Sequence, residues 1–75
     1  MRAAIHDVVN GGGNLEFVLG SVPAAQAQRV IDEVLADYVT ELNRALAEGS
    51  KNMWGVDAGA FLRQYATLWQ AKLSL

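Results

Sequence analysis

The chain has 75 residues, no cysteine, one histidine and a formal net charge of −2. This excludes a disulfide framework and a thiolate metal site, and one histidine is too few for a zinc site built by this chain alone. A chain this short forms one domain at most, residues 1–75. Its core supplies only ~3–5 kcal/mol, so very regular packing or a partner must supplement it.

Hydrophobic residues make up 52% of the chain and charged ones 19%, a globular rather than a disordered composition. No apolar run approaches the ~20 residues of a membrane span. Asp7 comes early and no continuous apolar stretch follows Met1-Arg2-Ala3-Ala4, which argues against a signal peptide. The expected compartment is therefore the cytoplasm, with no membrane partner. Charge is unevenly spread. Residues 1–49 set three arginines against seven carboxylates, and residues 50–75 set three cations against Asp57. That weak basic excess is not a phosphate-binding face, so no nucleic-acid partner is expected.

In chain order, residues 1–20 come first. Asn10-Gly11-Gly12-Gly13-Asn14 is a breaker. Leu15, Phe17 and Leu19 alternate after it as in a half-buried strand, and residues 3–9 can pair with them across the glycines as a hairpin. Read instead as a short helix, residues 3–9 place Ile5, Val8 and Val9 on one face. The glycine run leads into an apparently extended segment with no lysine behind it, so it reads as a flexible turn and not as a phosphate loop.

Residues 22–48 read as one long helix. Ala27, Val30, Ile31, Val34, Leu35, Tyr38, Val39, Leu42, Ala45 and Leu46 recur at steps of three and four. Pro23 suits its first turn, Ser21 is the expected cap, and Gly49 suits a left-handed C′ position. At about 39 Å such a helix is expected to overhang the core, which favours a partner. Residues 49–57 read as a loop. Asp57 is the expected N-cap of a second helix over 58–73, with Val56 and Phe61 at the two staple positions. The fold class expected is α+β, mainly helical: a short N-terminal β-hairpin followed by two antiparallel amphipathic helices. The alternative is an all-α three-helix arrangement.

Candidate chemistry is sparse. His6 and Asp7 are neighbours, and neither a strand nor a helix lets adjacent side chains form a base with its orienting carboxylate. His6 reads as a surface or edge residue. Ser21, Ser50 and Ser74 lack a nucleophile-elbow context. No catalytic residue, cofactor or metal site is expected. Glu33, Asp37 and Glu41 stand at i, i+4 and i+8 and form an acidic ridge. It reads as a solvated face, or as a docking surface for a basic partner. Phe61, Tyr65 and Trp69 stand at helical spacing and read as core. Met53 and Trp54 lie in the loop and read as an exposed pair able to anchor an interface. The expected function is a small non-enzymatic protein–protein interaction module, self-associating (a dimer favoured) or a subunit of a complex. The alternative is a small inhibitor or adaptor, of the kind viruses and mobile elements encode, presenting the acidic ridge to a basic protein surface.

Overall fold

The computed structural model describes residues Met1–Leu75. Six elements follow one another: α1 (Arg2–Gly11), α2 (Leu15–Gly20), α3 (Ala24–Glu48), β1 (Asn52–Met53), β2 (Val56–Asp57) and α4 (Ala58–Leu73). The long periodic run forms α3, as its spacing predicts. Its inward stripe buries Ala27, Ile31, Val34, Leu35, Tyr38, Glu41 and Ala45. The helix starts two residues later than expected. The Pro23 carbonyl accepts the first helical bond, from the Ala27 N–H at 2.9 Å. Ser21 does not cap it; its hydroxyl donates to the Val18 carbonyl at 2.6 Å and closes α2 instead. The C-terminus is a Schellman turn. Gly49 sits at φ 65°, and the Ser50 N–H reaches back to the Ala45 carbonyl at 2.8 Å.

The expected N-terminal hairpin is not formed; residues 2–11 and 15–20 are helices. α1 takes the other reading of residues 3–9 and buries Ile5, with Val8 and Val9 packed beside it. Gly12, at φ 75°, is a helix C′ residue and not a strand turn. The Asn14 side chain caps α2 by accepting from the Phe17 N–H at 3.2 Å. The alternation of Leu15, Phe17 and Leu19 is thus overruled by the i, i+4 pair. Leu15 and Leu19 are buried, while Phe17 is 78% exposed. The physical reason is that a lone two-stranded hairpin is marginal in water. Two short helices satisfy their own backbones and still seal the core with Ile5, Leu15 and Leu19.

The region expected to be a loop holds the only sheet, a two-residue hairpin. Met53 pairs with Val56, and Asn52 with Asp57. Its connecting residues, Trp54 (φ 50°) and Gly55 (φ 82°), both have positive φ, as a type I′ turn requires. Asp57 then caps α4, accepting from the Ala60 N–H at 2.8 Å. Val56 and Phe61 both join the core cluster, as the staple spacing predicts. α4 runs antiparallel to α3. Lys72 near its end pairs with Asp32 at 2.6 Å, and Gln64 in its middle bonds Tyr38 at 2.9 Å.

α3 does not overhang. Its buried residues run from Ala27 to Ala45, because α1, α2, the hairpin and α4 together cover its length. Only 13 of the 75 residues are buried, however. The core is therefore as small as the chain length implies, and much apolar side chain remains outside it.

Candidate functional site

The two flanks of α3 are different surfaces. One flank carries Glu33, Asp37, Glu41, Arg44 and Glu48. Arg2 of α1 reaches across to it. Its Nε donates to Asp37 Oδ2 at 2.8 Å, a second nitrogen bonds Asp37 Oδ1, and Nη1 lies 3.6 Å from Glu33. His6 Nε2 is 3.2 Å from Asp37 Oδ2. The guanidinium hydrogen bonds hold the Asp37 carboxyl below its ordinary range, and His6 adds to this. Ionised Asp37 can only accept, so His6 carries its proton on Nε2. The partner of His6 is thus Asp37, one helix away, and not its neighbour Asp7.

Glu41 is only 7% exposed and sits under the hairpin. Arg44 grips it with two bonds, at 2.7 and 2.9 Å, and the Trp54 N–H donates to its Oε2 at 2.8 Å. The Arg44 bonds, followed by the Trp54 bond, lower the Glu41 carboxyl from its ordinary value. Arg44 also donates to Glu48 at 2.6 Å and to the Asn52 carbonyl at 3.2 Å. This network pins the hairpin to α3. Positive φ is a genuine outlier for a residue as bulky as tryptophan, and the hydrogen bond to Glu41 holds Trp54 there.

The turn lays the indole against an aromatic cluster. Trp54 is roughly perpendicular to both His6 (centroids 5.2 Å apart) and Tyr38 (4.8 Å), and His6 stacks parallel to Tyr38 at 5.6 Å. Phe61 backs the cluster at 4.8 Å from Tyr38. A cleft of about 380 Å³ opens beside these rings, lined by His6, Asp7, Asn10, Tyr38, Trp54, Val56 and Gln64. The Tyr38 hydroxyl donates to Gln64 Oε1, and Gln64 Nε2 donates to Asn10 Oδ1 at 3.1 Å. No serine, threonine or cysteine lines the cleft. Its one hydroxyl, that of Tyr38, is committed to Gln64, and burial raises its pKa. The cleft therefore sets no hydroxyl or thiol nucleophile other than the Tyr38 hydroxyl beside the His6–Asp37 pair.

The residues singled out from sequence fall into different places. Glu33, Asp37 and Glu41 do share a flank, but they are not a uniformly solvated face: Glu33 is exposed, Asp37 half-buried and Glu41 buried. Met53 and Trp54 do not form an exposed pair. Met53 is buried in the core and Trp54 is 48% exposed. Phe61 is core and Tyr65 packs beside it, but Trp69 is exposed. His6 is half-buried, not an edge residue. No three His, Asp or Glu side chains converge as metal ligands would.

The other flank of α3 carries no charge over four turns beyond Asp32: Ala36, Val39, Thr40, Asn43, Leu46 and Ala47 are all exposed. Asp32, Val39 and Leu46 stand at successive i+7 positions, hence on one line. On α4, Leu62, Ala66, Trp69 and Leu73 form a matching exposed stripe. The Lys72–Asp32 bridge, with Lys72 Nζ 4.8 Å from the Trp69 ring centroid, brings the two stripes to the same side of the helix pair. The result is one apolar face, in which Leu46 is 70% and Leu73 80% exposed. No helix of the chain is long and apolar enough to cross a membrane.

No family model, curated protein or solved structure matches this chain.

Proposed function

We propose that the chain is a small non-enzymatic protein–protein interaction module that self-associates through the α3–α4 face. The observation that carries this reading is the charge-free apolar surface of Val39, Leu46, Leu62, Trp69 and Leu73. Leu46 and Leu73 are 70% and 80% exposed and Leu62 51%, and clustered exposed apolar side chains mark interaction sites. A second copy fits this face for three reasons. An isologous contact requires a self-complementary surface, and an apolar face without charges meets its own copy without repulsion. The two charges at its border, Asp32 and Lys72, already neutralise each other within the chain. The third is size: the core buries only 13 residues, so covering this face adds to a small folding free energy.

An acidic docking ridge for a basic partner has weaker support. Arg2 and Arg44 already neutralise Asp37 and Glu41, and Glu33 is the ridge carboxylate left most exposed.

The test is solution mass by light scattering over a concentration series, for the native chain and for Leu46→Asp and Leu73→Asp. A native dimer that becomes a folded monomer in either variant supports the reading. A native chain that stays monomeric at all concentrations overturns it. Leu35 and Leu42 look equally suitable on periodicity, but Leu35 is buried in the chain's own core and Leu42 is half-buried against it. Aspartate there would unfold the protein without informing on association.

A further inference from the structure

The cleft beside Trp54 lies away from the apolar face. Gln64, which lines it, stands about 200° around α4 from Leu62. Three features of the cleft need explaining together. First, tryptophan occupies the leading position of a type I′ turn, where asparagine or glycine is the relaxed choice. Backbone strain of this kind persists where the surroundings enforce it, and it gathers at ligand sites. Here Glu41 enforces it, and yet the indole it holds remains 48% exposed at the mouth of the cleft. Second, Asp7 is the one carboxylate lining the cleft; it has no salt-bridge or hydrogen-bond partner, and no lysine or arginine lines the cleft with it. Third, the cleft is rich in acceptors. The Tyr38–Gln64–Asn10 chain fixes Asn10 so that its carbonyl oxygen accepts, with a second lone pair still available. The Tyr38 hydroxyl oxygen, which donates its proton to Gln64, also keeps acceptor capacity at the cleft wall.

An exposed indole, an unpaired carboxylate and several acceptors match one chemistry. We infer that this cleft binds a guanidinium group, with its plane against Trp54 and its N–H donors on Asp7 and the neighbouring acceptors. A guanidinium stacks on aromatic faces and carries five donors in a fixed plane, which suits this cleft better than a compact ammonium. The source is either a small guanidinium compound or an arginine side chain on a peptide.

The probes are methylguanidinium, acetyl-arginine amide, acetyl-lysine amide and acetyl-citrulline amide, the last being the neutral isostere of the arginine probe. Each is titrated against the whole chain in a Trp69→Phe background, so that emission reports on Trp54 alone. The result expected is a saturable change with acetyl-arginine amide, roughly tenfold weaker with the citrulline probe. Asp7→Asn should weaken it several-fold. Trp54→Asn should abolish binding, followed by amide chemical shifts of Gln64, while circular dichroism stays native, since asparagine is favoured in this turn. Methylguanidinium binding as well as the arginine probe assigns a small-molecule source, and weaker binding assigns a peptide one. Equal binding of the citrulline probe, an unchanged affinity in Asp7→Asn, or no saturable change with any probe overturns the inference. Asp7 is exposed and lies in neither the core nor the ion-pair network, so its substitution leaves the fold in place. Failure here leaves the mass measurements on the apolar face unaffected.

Discussion

The two flanks of α3 show how one helix solves two different problems. On one flank every turn carries charge, and neighbouring elements answer it: Arg2 and His6 from α1 meet Asp37, and Arg44 and the Trp54 N–H meet Glu41. No buried side-chain polar atom is left without a partner. On the other flank, Ala36, Val39, Thr40, Asn43, Leu46 and Ala47 ask for nothing within the chain and receive nothing. A charged flank closed by its own chain fixes where α1 and the hairpin dock. A charge-free flank left open has apolar area to bury and no internal means of burying it.

Substitutions on the open flank give the sharpest way to break this contrast. Leu46→Asp removes a leucine's burial from both halves of an isologous contact and places a carboxylate there twice. The loss is about 3 kcal/mol or more, so the dimer dissociation constant rises about a hundredfold or more. Thermal melts of the dissociated variant should remain cooperative, because Leu46 contributes nothing to the monomer core. Glu33→Lys, on the closed flank, should leave the mass unchanged. If Glu33→Lys dissociates the dimer and Leu46→Asp does not, the roles of the two flanks are reversed.

The next effect in size concerns Arg44. Truncation to alanine removes four hydrogen bonds of the Arg44 side chain, to Glu41 twice, Glu48 and the Asn52 carbonyl, and leaves Glu41 buried beside a single backbone donor. Breaking a pair that includes a buried partner is strongly destabilising. The melting temperature should fall by roughly 5–10 °C. Arg44→Lys should recover only part of the loss, since a lysine cannot make the bidentate contact.

These two flanks also mark how much of the molecule was legible beforehand. α3, its glycine stop and the Asp57 cap follow from periodicity and capping chemistry, which are local. The N-terminal helices did not, because Asn14 and Gly12 suit a turn between strands as well as they suit a cap and a C′ residue. Six residues from Leu15 to Gly20 are too few to separate a period of two from one of 3.6. The burial of Glu41 was invisible for another reason. It depends on a hairpin thirteen residues away, whose turn begins with a residue that seldom takes positive φ. The partner of His6 was likewise hidden by distance in sequence, although a carboxylate one helix away is the only kind that could reach it. The open flank is partly visible in the sequence: Val39 and Leu46 share the apolar spacing of α3, and only the docking of α4 shows that they lie beyond the edge of the core.

Acid should act on the closed flank and spare the open one. Asp37 and Glu41 have lowered carboxyl pKa values in the folded chain. Their contribution is therefore fully present above their ordinary unfolded values, near ~4, and is lost as pH falls through the lower folded values. Melting temperature should be flat from neutrality to about pH 5 and decline below about pH 4. Glu41→Gln should flatten the decline while lowering the plateau. Because the titrating pair on the apolar face, Asp32 and Lys72, is closed within the chain, the dimer dissociation constant should hold steady down to the pH where folding itself weakens. A dissociation constant that moves with pH above 5 would place a carboxylate in the contact.

The smallest expected effect tests the rim of the closed flank. Arg2 holds Asp37 from an exposed position, with about half of its side chain in water. Exposed ion pairs contribute little, because solvent screens them and two long side chains must be ordered to make them. Arg2→Gln should lower the melting temperature by no more than about 2–4 °C, and moderate salt should remove most of the difference. The same substitution also raises the Asp37 carboxyl toward its ordinary value, since the Arg2 hydrogen bond is its largest depressing influence. With its folded and unfolded values closer together, Asp37 has less stability to lose in acid, so the decline should be shallower by about as much as the plateau has dropped. A large drop at neutral pH, persisting in salt, would mean that Arg2 fastens α1 to α3 and that the closed flank depends on this bridge more than on the Arg44 network.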